Sequence, residues 1–286
     1  MLNISIVTYC PDWQGEVLPL AAELLKVQAL HRLYIIDNSP ELSATDFPEK
    51  VLYIHTGENV GYGRAHNIAI RESIYDQVPL HLVMNSDIIV KAEDIDALCA
   101  FMHSQPAVGQ LMPRVVNPAG ELQHLCKRLP TPLDVFGRRF LPSSWMRKRN
   151  ARYELHDADY SRPMNVPYLS GCFMLLRTEA VQKARLFDER YFMYPEDIDL
   201  TRTIHREYLT LYYPAVTIVH NHKKASYQSW RMLWVHIMNM CRYFNKWCWF
   251  FDSERRKFNK ELKEVVFYIV VFAAISNLTQ SMISTM

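Results

Sequence analysis

Short β-branched and aromatic runs alternate with helix-patterned stretches over the first part of the chain, and this rhythm limits the fold more than any other feature. Residues 2–9 (LNISIVTY), 33–37 (LYIID), 51–55 (VLYIH) and 80–84 (LHLVM) read as strands, each stopping at polar residues. Val17–Val27 lies between the first two with Leu, Ala and Glu at helical spacing. Helices are expected again over 63–75 and 92–104, before a strand near 108–112. Strand–helix–strand units of this length build a parallel α/β sheet, and such sheets bind ligands beyond the carboxyl ends of their strands.

The rhythm breaks over 117–165, where Pro118, Pro130, Pro132, Pro142 and Pro163 suggest a long excursion with one short helix. Order returns at 167–177 (PYLSGCFMLLR), read as one strand. A helix from Thr178, a helix from about Pro195 to Tyr208 and a last strand over 209–219 follow. From Tyr227 to Lys263, aromatic and basic residues recur at helical spacing. No internal repeat is found.

A hydrophobic content of 49% with only 8 Gly excludes a disordered or collagen-like chain. The formal net charge of +2 hides an asymmetry. Residues 127–152 carry eight Lys/Arg against one acid, residues 223–263 ten against three, and the remainder is acidic. The six cysteines form no CxxC pair and read as free thiols of a reducing compartment. The start, MLNISIVTYC, has no basic leader. The longest apolar run, Val265–Ile275, falls short of the roughly 20 residues of a membrane-spanning helix. It is left as a core, interfacial or partner-binding segment. The expectation is a cytoplasmic protein, in peripheral contact at most with the inner face of a membrane.

Several polar groups fall at strand ends. Asp37-Asn38-Ser39 closes the second strand, where the carboxylate either makes an Asx-turn or accepts from a ribose hydroxyl or a base N–H. In ENVGYGRAHN (58–67), Gly61 and Gly63 allow the backbone close to a ligand, and Arg64 opens a helix where a phosphate can bind. An ordinary strand-to-helix turn explains the glycines equally well. Asn85-Ser86-Asp87 ends the fourth strand and places a carboxylate where a hard divalent cation bridging phosphates needs one, or simply starts a loop. Pro195-Glu196-Asp197-Ile198-Asp199 has the composition of a helix first turn, and it also offers a general base. A helix N-terminus would lower the pKa of that base. His220 and His222 flank Asn221 on an extended segment and point to opposite faces, so at most one of them serves a metal.

Taken in order, these segments resemble the family 2 glycosyltransferases, inverting enzymes with the GT-A nucleotide-diphospho-sugar fold. The likeness is greatest to the bacterial rhamnosyltransferase-like branch that builds surface polysaccharides. It is carried over about residues 3–250 by SIVTY (5–9), IIDNS (35–39), ENVGYGRAHNIAI (58–70), NSD (85–87), LSGCFMLLR (169–177), FDERYFMYPEDIDL (187–200) and IVHNHKKAS (218–226). The resemblance implies that Thr8 and Tyr9 line the nucleotide pocket and Asp37 contacts base or ribose. Asn59, Gly61, Arg64, Asn85 and Ser86 would approach the nucleotide and diphosphate. Asp87 matches the last acid of the family's metal motif, with Asn85 in place of the first, and His220 matches a late histidine that completes the site around Mg²⁺ or Mn²⁺. Asp197 matches the catalytic base, with Glu196 supporting the acceptor, and Gly171 keeps the acceptor edge open. It further implies transfer from a nucleotide-diphospho-sugar, dTDP-rhamnose first and UDP-hexoses next, to a glycan or lipid-diphosphate-linked acceptor. A catalytic domain over 1–226 (nucleotide-sugar half 1–115, acceptor half 116–226) would carry a helical extension over 227–286.

The basic segment 223–263 has three readings: a membrane-surface helix, a solvated helical cap, or a single-strand nucleic-acid site, the last disfavoured by the acidic body. The segment 127–152 either borders the acceptor cleft or forms a loop. Two functional alternatives stay open, a sugar nucleotidyltransferase and an inactive adaptor of polysaccharide assembly that keeps the fold.

Overall fold

The computed structural model describes residues 1–42, 46–221 and 230–262. His222, residues 223–229, Lys263 and the apolar run 265–275 lie outside the described residues. The amino-terminal part contains β1 (Leu2–Thr8), α1 (Leu18–Leu24), β2 (Leu30–Asp37), β3 (Val51–His55), α2 (Tyr62–Tyr75), β4 (Leu80–Met84), β5 (Ile88–Ile89), α3 (Ala92–Ser104) and β6 (Val108–Val116). The excursion that follows holds β7 (Cys126–Lys127), α4 (Arg138–Phe140), α5 (Ser143–Tyr153) and β8 (Met164–Asn165). Then come β9 (Tyr168–Leu169), β10 (Phe173–Arg177), α6 (Thr178–Lys183), α7 (Glu196–Ile204), β11 (Leu209–His220), α8 (Trp230–Trp247) and α9 (Ser253–Glu261).

The main sheet runs β3-β2-β1-β4-β10-β6-β11-β5, with β8 on β11. Strands β1 to β4 are mutually parallel where they pair, as the alternation with helices predicts. Strand β10 enters antiparallel between β4 and β6, making the sheet mixed. Helices cover both faces, so β4 is buried along its whole length, and its one polar residue is His81. Two buried polar residues of β1 meet it and α2. Ser5 Oγ lies 2.7 Å from His66 Nδ1 and 2.8 Å from His81 Nε2, and Asn3 Nδ2 donates to Ser73 Oγ at 2.9 Å. These bonds fix α2 beneath β1 and β4.

Two expectations are corrected. The run 167–177 is two strands: β9 pairs with β7 in a separate ribbon, and the turn at Ser170–Cys172 redirects the chain before β10 joins the main sheet. The excursion over 117–165 holds two α-helical pieces, α4 and α5, preceded by a π-turn over Leu133–Gly137.

Helices α8 and α9 pack on α7 through Tyr191, Ile198, Met240, Tyr243, Phe244 and Phe258. Arg202 of α7, 1% exposed, donates from both terminal nitrogens to Asp252 at 2.7 Å, and its Nε donates to Glu254 at 2.9 Å. Its guanidinium carbon sits 4.0 Å from the Trp247 ring centroid. Asp252 at the same time caps α9 by accepting from Arg255 N.

Candidate functional site

The ends of β1, β2 and β4 form one edge of the sheet, and the polar residues that stop these strands converge there. Asp37, fully buried, accepts from Thr8 Oγ1 at 3.2 Å, from Ser39 N at 3.0 Å and from the Tyr53 hydroxyl at 2.7 Å. Thr8 and Asp37 are therefore held together, while Tyr9 projects outward beside them, exposed. Asn59 Oδ1 accepts from Gly61 N at 3.1 Å, and Asn38 Nδ2 donates to the Gly61 carbonyl at 3.3 Å. Gly61 has φ +91°, and a Cβ there would lie 2.3 Å from the Phe192 carbonyl oxygen, so only glycine fits. Arg64 stands apart. It is exposed on α2, with its Nε 3.9 Å from Glu189.

Asn85, Ser86 and Asp87 follow β4 directly. Asp87 and Ser86 open on a cleft of about 820 Å³ bordered by Gly15, Glu16 and Lys91. Asp87 Oδ1 is 3.3 Å from His220 Nε2 at the end of β11. Gln123 Nε2 donates to the His220 carbonyl at 2.9 Å, which turns its Oε1 toward His220 Nδ1, 3.0 Å away. An amide oxygen only accepts, so in the neutral ring Nδ1 carries the proton and Nε2 aims its lone pair at the carboxylate. An imidazole lone pair facing a carboxylate oxygen suits a shared divalent cation, so the donor set fits Mg²⁺ or Mn²⁺. Among the described residues no third His, Cys, Asp or Glu completes the group.

On the other side of β10, Tyr194 in a left-handed conformation (φ +55°) and Pro195 turn the chain into α7. This turn brings Glu196 and Asp197 to a cleft of about 740 Å³ lined by Lys127, Arg138, Tyr153, Tyr168 and α8. Asp197 Oδ2 accepts from Gly171 N at 2.9 Å and from the Tyr168 hydroxyl at 3.4 Å, and its Oδ1 accepts from Ile198 N at 2.8 Å. A Cβ at Gly171 would meet the Asp197 Cβ at 3.1 Å, so a larger residue there would press on the carboxylate. Burial raises the Asp197 pKa above its ordinary value, against the lowering by its backbone donors. The expectation of a base made more acidic by its helix is thereby corrected: desolvation outweighs the helix N-terminus here. Glu196 is pushed well above the carboxylate range by burial, then by the charge of Asp197.

The two sides are connected. The Tyr62 hydroxyl is 3.1 Å from Asn85 Oδ1 and donates to the Gly171 carbonyl at 2.7 Å, and Gly171 N in turn holds Asp197. Tyr62 is thus a link the sequence did not reveal. Its place inside GYGR was the only signal, and its two partners lie far along the chain. Gln123 and Tyr168 were missed for the same reason. Asp199, the last acid of the PEDID run, has a structural task instead. It accepts from Lys246 Nζ at 2.7 Å and from Trp247 Nε1 at 2.6 Å, tying α7 to α8.

The raised pKa of Glu196 has a consequence for stability. A carboxyl whose folded pKa exceeds its unfolded value contributes fully below the unfolded pKa, and that contribution is lost as pH rises through the folded value. Glu196→Gln removes the ionisation and so should raise Tm above neutral pH, by roughly 2–4 °C per kcal/mol relieved, with no gain near pH 4. Calorimetric scans of both proteins across pH 4–9 check this, and an equal shift at every pH would contradict it.

The sequence model of the family described as "Glycosyltransferase like family 2" matches residues 42–255. An N-acetylglucosaminyl-diphospho-decaprenol L-rhamnosyltransferase of Mycobacterium tuberculosis is 29% identical over 244 residues, covering 79% of this chain and 77% of the relative. The rhamnosyltransferase WbbL of Escherichia coli is 27% identical over 199 residues, covering 66% of this chain and 71% of its own. Among solved structures, GalNAc-T7 with UDP, GalNAc and Mn²⁺ superposes with a TM-score of 0.60 at 14% identity. That match covers 89% of this chain but 49% of the larger protein, and it bears on the fold alone.

Proposed function

The chain belongs to the family 2 glycosyltransferases, and from that premise we propose that it is a metal-dependent, inverting enzyme with Asp197 as its base. Its mixed α/β sheet is of the GT-A type, and its curated relatives include rhamnosyltransferases. The donor in this proposal is a nucleotide-diphospho-sugar, dTDP-rhamnose first, and the acceptor a hydroxyl on a lipid-diphosphate-linked glycan. The acceptor follows from the name of the mycobacterial relative. The observation that carries the reading is the path of close polar contacts Asn85–Tyr62–Gly171–Asp197, which couples the strand ends of a donor site to a carboxylate in a second cleft. An adaptor that had lost catalysis would have no need to keep a carboxylate oriented by three donors.

In the proposed arrangement the nucleotide lies against Thr8, Tyr9 and Asp37, and its diphosphate near Asn59, Gly61, Asn85 and Ser86. Arg64, from its exposed position, would have to leave Glu189 to reach a phosphate. Asp87 and His220 would hold the divalent cation. When bound, such an ion neutralises charge on the departing diphosphate. Asp197, held by Gly171 N, Ile198 N and the Tyr168 hydroxyl, accepts the proton of the acceptor hydroxyl as that oxygen bonds to the anomeric carbon. The bond to the diphosphate breaks on the opposite face, its electron pair leaves with the phosphate oxygen, and the configuration inverts. A carboxylate with a raised pKa is a stronger base than an ordinary one. Burial raises the Glu196 pKa, and its carboxyl, when protonated, can donate to the same hydroxyl and orient it.

Titrating UDP, dTDP and GDP with and without Mn²⁺ tests the donor half of this reading. At least one nucleotide should bind roughly tenfold or more tightly with the ion, and Asp87→Ala should abolish that difference. Equal affinity for all three with and without Mn²⁺ would remove the metal-dependent assignment.

A further inference from the structure

The cleft at Asp197 is lined by two cationic side chains, Lys127 and Arg139, that no carboxylate pairs with among the described residues. Glu154 is committed to Arg138 at 2.7 Å and His156 at 3.2 Å, and Asp134 to Arg149 at 2.6 Å. Asp197 is held by backbone amides and feels the Lys127 charge without forming an ion pair with it, and burial raises the Glu196 pKa. Lys127 Nζ lies between two rings, 5.9 Å from the Tyr153 centroid and 5.6 Å from that of Tyr168, the residue that also touches Asp197. Burial lowers the Lys127 pKa, so the side chain gains from an anion brought alongside it.

The opposite wall is apolar. Met232, Leu233 and Met240 of α8 line the cleft together with Val135. Trp230, Trp234 and Met238, at helical spacing on the neighbouring stripe of α8, are exposed. A cationic side and an apolar side of one cleft, with exposed apolar side chains on the next stripe of the same helix, match the two ends of an amphiphile.

Resting on the transferase reading above, we propose that Lys127 and Arg139 form an acceptor-side anion subsite. It takes the phosphate or diphosphate head of an amphiphilic acceptor, whose hydrocarbon runs along Met232, Leu233 and Met240. The subsite is separate from the cation site at Asp87 and His220. It fixes the acceptor from its charged end while the sugar hydroxyl meets Asp197. The basic segment 127–152 thereby acquires a task at the cleft.

Calorimetric titration of the full chain in EDTA, which keeps diphosphates from using the donor's cation, tests this with farnesyl diphosphate, farnesol and inorganic pyrophosphate. Farnesyl diphosphate should bind roughly tenfold or more tightly than either of the others, the scale of one charge-assisted contact. Lys127→Met, which keeps the stem between the rings, and the exposed Arg139→Gln should each weaken farnesyl diphosphate while leaving farnesol unchanged. The proposal is overturned if farnesol binds as well as its diphosphate, if pyrophosphate alone matches farnesyl diphosphate, or if both variants bind like the parent. Failure of the transferase reading would register elsewhere, as an absence of nucleotide affinity with Mn²⁺.

Discussion

Asp197→Ala should lower kcat by about 10²–10⁴-fold while changing nucleotide affinity by less than about threefold, the range for loss of a general base. The carboxylate lies in the second cleft, and hydrogen bonds lead from it to the donor-side residues through Gly171 and Tyr62. Its removal therefore takes away proton acceptance without touching Thr8, Asp37 or Asp87. Alanine is the cleaner substitution. In Asp197→Asn one amide N–H would face a backbone N–H, either of Gly171 or of Ile198, and disturb the turn. The acid limb of the kcat profile should also lie above the ordinary carboxylate range, because burial raises the Asp197 pKa and activity is lost as pH falls through it. Rapid-quench measurement of transfer, alongside nucleotide titration, separates the two effects. Loss of nucleotide binding together with rate would mean that Asp197 shapes the donor site instead.

The second large effect concerns stability. Arg202→Met should cost about 3–5 kcal/mol, the usual penalty for leaving a buried charge without its partner. Asp252 is 4% exposed, and its two oxygens take both terminal nitrogens of Arg202 while one of them caps α9. Without the guanidinium, that carboxylate stays buried with Arg255 Nη1 4.0 Å away as its remaining cationic neighbour, and the bidentate ion pair that ties α9 to α7 is lost. Adding Asp252→Asn removes the stranded charge and keeps a capping oxygen, so the double variant should recover part of the loss. Urea denaturation of the single and double variants measures this. A single-variant cost below about 1 kcal/mol would show that the pair is nearly neutral in the folded chain.

The succession of parallel strands along the chain and the polar residues at their ends were legible in the sequence, because both depend on local pattern. Apolar runs stopping at Asp37 and at Asn85 mark strand ends wherever the rest of the chain goes. Gly61 was legible as a glycine that matters, but its reason, the Phe192 carbonyl against its Cα, is tertiary. The same limit separates Asp197 from Asp199. Both are first-turn acids of α7, yet one faces a cleft and the other meets Lys246 and Trp247 of α8. Helical spacing alone does not tell them apart. The break at Ser170–Cys172 was also hidden, since β9 and β10 each read as strand and only pairing to different partners divides them. The pKa of Asp197 went against expectation because a helix terminus can be seen in a sequence, whereas the desolvation around it cannot.

The roles given to Asp87, His220 and Asp197 meet in the stereochemistry of the first product. Proton NMR of the full chain with Mg²⁺ and a panel of nucleotide sugars, dTDP-rhamnose included, would follow the anomeric signal of the sugar first transferred or released. The expected result is consumption of at least one donor, giving sugar of the opposite anomeric configuration, and no consumption by Asp197→Ala. A product of retained configuration, or an Asp197→Ala variant as fast as the parent, would contradict the single displacement with Asp197 as base.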